Sequence, residues 1–203
     1  MSDINLVGVI GGGTMGAGIA EMCARSGSSV LILETSQATA DAAEARLDKS
    51  FARTVKSGRI EADAAEKARA AITLTLDMND FSDRDLVVEA APEIESLKLD
   101  LFGKLDSIVK PEGILATNTS SIPVIKMANA TKRPDKVVGV HFFNPVPVLP
   151  LVEIVVSLVT SEETVATVTD YASNTLGKKT IRAGDRAGFI VNALLIPYMV
   201  SAI

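Results

Sequence analysis

The run Gly11-Gly12-Gly13-Thr14-Met15-Gly16 stands directly after a short apolar segment and directly before a stretch of helical period. Few folds can use such a junction. Its G-x-G-x-x-G spacing gives each glycine a physical reading: Gly11 permits a tight turn, Gly13 lets the backbone approach a pyrophosphate, and Gly16 lets the helix pack close to the strand. The helix opening at Thr14 offers free N–H groups and a partial positive charge to an anion. Such turns also occur where no nucleotide binds, so the context decides. Here Glu34 closes the next apolar run, 23 positions after Gly11, where a carboxylate accepts hydrogen bonds from adenosine ribose hydroxyls. The pair predicts a dinucleotide. It predicts NAD rather than NADP, because a carboxylate repels a 2'-phosphate and Thr35-Ser36-Gln37 offers no arginine. The competing reading of Glu34 is a solvated acid at the start of a loop.

The rest of the chain repeats the same alternation. Short Val, Ile and Leu runs fall near Asn5–Ile10, Val30–Leu33, Ile72–Leu76, Leu86–Ala90, Ile114–Asn118, Val137–His141, Leu151–Val156 and Lys179–Arg182, separated by longer helical stretches. This is the pattern of βαβ units, and it predicts an α/β fold: a Rossmann-type, mostly parallel sheet with helices on both faces, over residues 1–185. The first helix runs from Thr14 to Ser26. An Ala-rich stretch from Gln37 to Arg69 reads as a helical pair broken at Ser57-Gly58, longer than an ordinary crossover, which predicts a functional contact on it. From Gly188 to Ile203 the sequence reads as an apolar helix without a capping signal. Residues 186–203 are therefore expected to begin a second, helical domain that is truncated here, and the apolar residues to need a partner.

Charge and cysteine content exclude several classes. A net charge of −5 with scattered basic residues argues against nucleic acid and anionic membranes. Cys23 is the single cysteine, the opening MSDINLVGVI has no signal-peptide pattern, and no apolar run reaches the roughly 20 residues that span a bilayer. The expectation is a soluble, cytoplasmic protein. No metal site is expected.

His141, the only histidine, closes the apolar run Val137–Val140, at the strand end where open α/β sheets hold ligands. Histidine suits proton exchange near neutral pH. A lone histidine at a strand end can equally be a structural residue. Glu153 interrupts the run Leu151–Val156, which should be largely buried, so a cation or strong donor is expected to face it, and protonated His141 is a candidate. An edge strand turning Glu153 to solvent is the alternative. Asn118-Thr119-Ser120-Ser121 and Asn144 also follow strand ends, and could orient a carbonyl or alcohol if the three termini converge. Turn chemistry alone would also select them.

The segments GGGTMGAGIA, LVVEAAPE, ATNTSSI, HFFNPVPVLPLVEIV and DRAGFIVNALLIPY together resemble the 3-hydroxyacyl-CoA dehydrogenase family, and within it the bacterial 3-hydroxybutyryl-CoA enzymes. The resemblance covers essentially the whole chain. It implies NAD-dependent oxidation of a 3-hydroxyacyl-CoA thioester to the 3-ketoacyl-CoA, with His141 as acid/base and Glu153 supporting it. It implies that Ser120 bonds the 3-oxygen and that Asn192 helps position the substrate. Cofactor contacts map onto Gly11, Gly13, Thr14, Met15, Gly16, Glu34, Glu93, Lys98, Ser120 and Asn144, with packing the expected role of Met15. Ser50 and Lys56 on the long helical excursion are the implied coenzyme A contacts. The family's helical second domain completes the substrate pocket and carries a homodimer contact. Two other readings stay open: a non-catalytic NAD-binding module, and another hydroxyacid dehydrogenase of the 6-phosphogluconate type.

Overall fold

The computed structural model describes residues 4–202. Its strands are β1 (Leu6–Ile10), β2 (Ser29–Leu33), β3 (Ile72–Thr75), β4 (Leu86–Glu89), β5 (Ile114–Thr117), β6 (Val137–Phe142), β7 (Leu151–Val156) and β8 (Lys179–Gly184). They form one sheet in the order β3-β2-β1-β4-β5-β6-β7-β8. Every pairing is parallel except β6 with β7. The chain winds outward from β1 through β2 to β3, then returns to lay β4 on the other side of β1. That reversal makes a crevice at the carboxyl ends of β1 and β4, where open α/β sheets take ligands.

The strands are apolar because both faces of the sheet are covered. All of β4 and β6 is buried. Helices α1 (Thr14–Arg25), α2 (Gln37–Lys56), α3 (Ala62–Ala70) and α6 (Glu162–Asp170) supply the core on one face, with Ile19, Leu47, Ala65 and Val168 packed on Val7, Val9, Val138 and Val140. On the other face α4 (Glu95–Ile108) and α5 (Val124–Asn129) bring Phe102, Leu105, Val124 and Met127 against Val87, Leu115 and Val137. Gly58, at φ +67°, ends the link after α2 and separates it from α3, as the Ser57-Gly58 break predicts.

Strand period decides where the site side chains point. In β6, Val138, Val140 and Phe142 face the α1 side, so Val137, Gly139 and His141 face the α5 side. The antiparallel register sets His141 opposite Glu153 and Gly139 opposite Val155. A Cβ on Gly139 would fall 2.6 Å from that of Val155, so only glycine permits this approach. β7 lies between β6 and β8, which rules out the edge-strand alternative for Glu153.

The last helix, α7 (Val191–Ser201), opens later than the predicted Gly188, because Gly188 (φ 74°) and Phe189 (φ 51°) are left-handed and break the helical path. Its Leu194 and Tyr198 are 70% and 74% exposed. Ile203 lies outside the described residues, as do Met1–Asp3 of the opening segment. Among the described residues no helix is long and apolar enough to cross a membrane.

Candidate active site

The glycine turn leaves β1 with Gly11 at φ +89°. A Cβ on Gly16 would sit 1.8 Å from the Gly11 carbonyl oxygen, so α1 packs on the turn at a distance only glycine allows. A Cβ on Gly13, by contrast, would meet nothing within 4 Å. The bare backbone at Gly13 therefore faces open space, which suits a bulky anion drawn in by the N-terminus of α1. Glu34, beyond β2, accepts a hydrogen bond from the Gly12 amide at 2.5 Å. Gly11, Gly13, Thr14, Met15 and Glu34 line a cleft of about 800 Å³, walled on the far side by Ala90, Pro92 and Leu97. The residues present fit a dinucleotide, with the pyrophosphate at the turn and the adenosine ribose at Glu34.

A second cleft of about 350 Å³ shares Met15, Ala90 and Ala91 with the first. Its lining gathers Glu93, Lys98, Asn118, Ser120, His141, Asn144 and Asn192. The strand termini thus converge on one cleft. His141 is 6% exposed and Glu153 is fully buried behind it. The Nδ1 of His141 lies 2.7 Å from Glu153 Oε2. An ionised carboxylate only accepts, so Nδ1 carries the proton and Nε2 is left with its lone pair free. Phe143 and Phe189 flank the imidazole, with ring centroids 4.6 and 5.5 Å away. The other oxygen of Glu153 accepts from the amides of Ile190 and Val191 at 3.0 and 2.9 Å. One buried carboxylate therefore orients the imidazole and ties down the start of α7, one residue before Asn192. Such an arrangement can exchange a proton at Nε2 while the positive charge on the ring stays paired.

Ser120 is held by its loop. The Glu93 carboxylate accepts from the Thr119 hydroxyl, from the Ser120 amide at 3.2 Å and from the Ser121 hydroxyl at 2.9 Å. Burial works against its ionisation, but the Thr119 bond and the attraction of Lys98 outweigh it and hold the carboxyl below the usual range. Asn118 Oδ1 accepts from the Phe142 amide at 2.9 Å and so locks this loop to the strand end carrying His141.

Lys98, predicted as a cofactor contact, is 1% exposed and bridges two acids: Glu89 Oε1 at 2.6 Å and Glu93 Oε2 at 3.2 Å. Glu89 was not singled out by sequence reasoning. It is fully buried at the end of β4 and also accepts from the Ala91 amide and the Thr117 hydroxyl, both at 2.7 Å. Its signal was a charged residue within an apolar run, the same signal that marked Glu153.

Ser50 and Lys56 are not brought to either cleft. The Ser50 hydroxyl donates to buried Glu21 on α1 at 2.5 Å, alongside Thr54 at 3.0 Å. Ser50 nevertheless lines a separate cleft of about 280 Å³ with Arg53, Thr54, Ser57, Arg59, Pro145 and Pro147. Lys56 is exposed and does not line it. Arg53 and Arg59 supply the cations there.

Residues 6–186 match the family model described as 3-hydroxyacyl-CoA dehydrogenase, NAD binding domain. A 3-hydroxybutyryl-CoA dehydrogenase of Mycobacterium tuberculosis is 51% identical over 205 aligned positions, covering 100% of this chain and 72% of that protein. The crystal structure of M. tuberculosis FadB2 superposes with a TM-score of 0.96 at 50% identity, over 98% of this chain and 70% of that one. That of (S)-3-hydroxybutyryl-CoA dehydrogenase PaaH1 from Ralstonia eutropha gives 0.94 at 38% identity, with the same coverage. The chain belongs to the 3-hydroxyacyl-CoA dehydrogenase family.

Proposed function

We propose that this protein catalyses the NAD-dependent, reversible oxidation of a 3-hydroxyacyl-CoA, 3-hydroxybutyryl-CoA foremost, to the 3-ketoacyl-CoA. The observation that carries the reading is the His141–Glu153 pair at 2.7 Å on a cleft adjoining the glycine turn. Bound NAD supplies the ring carbon that accepts hydride from C3 of the substrate. As hydride leaves, the 3-hydroxyl must lose its proton or become a costly alkoxide, and His141 Nε2 takes that proton. Glu153 keeps the ring in the accepting tautomer and pairs with its positive charge. Ser120 donates to the oxygen where charge develops, and Asn192 positions the substrate from the start of α7. In the reverse direction His141 returns the proton to that oxygen.

Glu93, Lys98 and Asn144 hold the cofactor's nicotinamide end, with Glu34 at its ribose end. The coenzyme A portion runs toward the cleft of Ser50, with Arg53 and Arg59 in place of Lys56 as the cations that meet its phosphates. Residues 1–185 form the cofactor unit and 186–203 begin a helical unit. In this reading the protein works in the cytoplasm as a homodimer.

Titrating NADH into the chain and then adding acetoacetyl-CoA tests the reading. Saturable binding followed by loss of NADH absorbance is expected. Binding with no absorbance change would leave only the non-catalytic module, and oxidation with free 3-keto acids instead of the thioester would favour the 6-phosphogluconate type.

A further inference from the structure

Gly12 is gripped from both ends by opposite charges. Its amide donates to Glu34 Oε1 at 2.5 Å, and its carbonyl accepts from the Arg46 guanidinium at 2.7 Å. Arg46 reaches the turn from α2, and both side chains line the dinucleotide cleft together with Thr35 and Thr39. The second partner of Arg46 is also a backbone carbonyl, that of Ala42 at 3.4 Å. Among the described residues the guanidinium forms no ion pair, so its charge is not spent on a carboxylate. Both bonds use one terminal nitrogen, which leaves several of its five N–H donors for another acceptor.

Two elements of opposite consequence thus meet at one ribose. A carboxylate there accepts from the hydroxyls of NAD and repels the 2'-phosphate of NADP, whereas a nearby arginine accommodates that phosphate. We propose that the Glu34 carboxylate enforces the preference for NAD against the pull of Arg46, a 2'-phosphate site which opens the cleft to NADP once that carboxylate charge is removed. The inference rests on the NAD reading above. Glutamine at position 34 keeps an oxygen for the Gly12 amide, so the turn holds its shape while the repulsion goes.

The test is fluorescence titration of NADH and of NADPH into the purified chain and its Glu34→Gln, Arg46→Gln and doubly substituted forms, each checked for folding by circular dichroism. The wild type is expected to prefer NADH. Glu34→Gln is expected to bind NADPH about tenfold or more tightly than the wild type does, the scale of one charge-assisted hydrogen bond, and the double variant to lose that gain. Arg46→Gln alone is expected to lower the NADPH-to-NADH affinity ratio, which keeps a readout if Glu34→Gln does not fold. No gain in Glu34→Gln, a gain that survives loss of Arg46, or an unchanged ratio in Arg46→Gln overturns the proposal while NADH binding stands. A wild type that does not bind NADH removes the NAD reading and this proposal with it.

Discussion

Replacing Glu153 by glutamine changes one heavy atom and is expected to invert the chemistry of His141. The carboxylate now serves three donors, His141 Nδ1 on one oxygen and the amides of Ile190 and Val191 on the other. Those two backbone donors fix how a glutamine must sit. Its carbonyl oxygen has to face them, because an NH₂ there would oppose two N–H groups in a fully buried pocket. The NH₂ then faces Nδ1 and donates to it, so the neutral imidazole carries its proton on Nε2. That nitrogen can no longer accept from a 3-hydroxyl. A base in the wrong tautomer costs about 10²- to 10⁴-fold in turnover, or about 3–5.5 kcal/mol in barrier. Fold and cofactor affinity should barely change, since the packing volume is kept and Glu153 lines neither cleft. The assay is the rate of NADH consumption with acetoacetyl-CoA, beside an NADH titration and a melting curve. A variant that keeps more than about a third of wild-type turnover would refute the tautomer argument, because a factor of three is only about 0.65 kcal/mol.

Gly16→Ala drives a Cβ to 1.8 Å from the Gly11 carbonyl oxygen; it should cost about 2 kcal/mol, about 4–8 °C in melting temperature, and abolish NADH binding. Wild-type values in both measurements would show that the turn yields freely. Because the Glu93 carboxyl is held below its usual range, its stabilisation is present above the unfolded value of about 4.3 and lost as pH falls through the folded one. The melting-temperature gap between wild type and Glu93→Gln should therefore be widest above about pH 5 and close in acid; a gap that widens in acid would contradict the sign. Lys178, 7% exposed, donates to the carbonyls of Val146 and Leu149 at 2.6 and 2.8 Å, and so pins the loop that follows His141. Lys178→Met should destabilise by about 2 kcal/mol and speed hydrogen exchange in residues 143–150, and unaltered exchange would refute this pinning.

The strands were legible because a sheet covered on both faces demands apolar runs whatever the partner, and all eight runs became strands. Their direction was not: nothing in Leu151–Val156 says that it runs against β6, yet that reversal is what sets Glu153 across from His141. Catalytic candidates were readable where chemistry conflicts with burial, as at Glu153. The same conflict at Glu89 is not legible as a site, because only folding sets Lys98 of α4 against the end of β4. Arg46 was invisible for a related reason, since only folding brings α2 over the glycine turn. Helix geometry separates Lys56 from the Ser50 cleft: Arg53, Thr54 and Ser57 follow Ser50 by three, four and seven residues on one face, and position 56 falls off it.

In the proposed reaction His141 moves the proton while the backbone of the glycine turn holds the cofactor, two tasks on separate groups. His141→Ala, assayed for acetoacetyl-CoA reduction and for NADH affinity in the same preparation, separates them. Turnover should fall by at least about a hundredfold while NADH affinity stays within about threefold. A variant that turns over at the wild-type rate, or one that loses NADH binding and turnover in equal measure, would contradict the account.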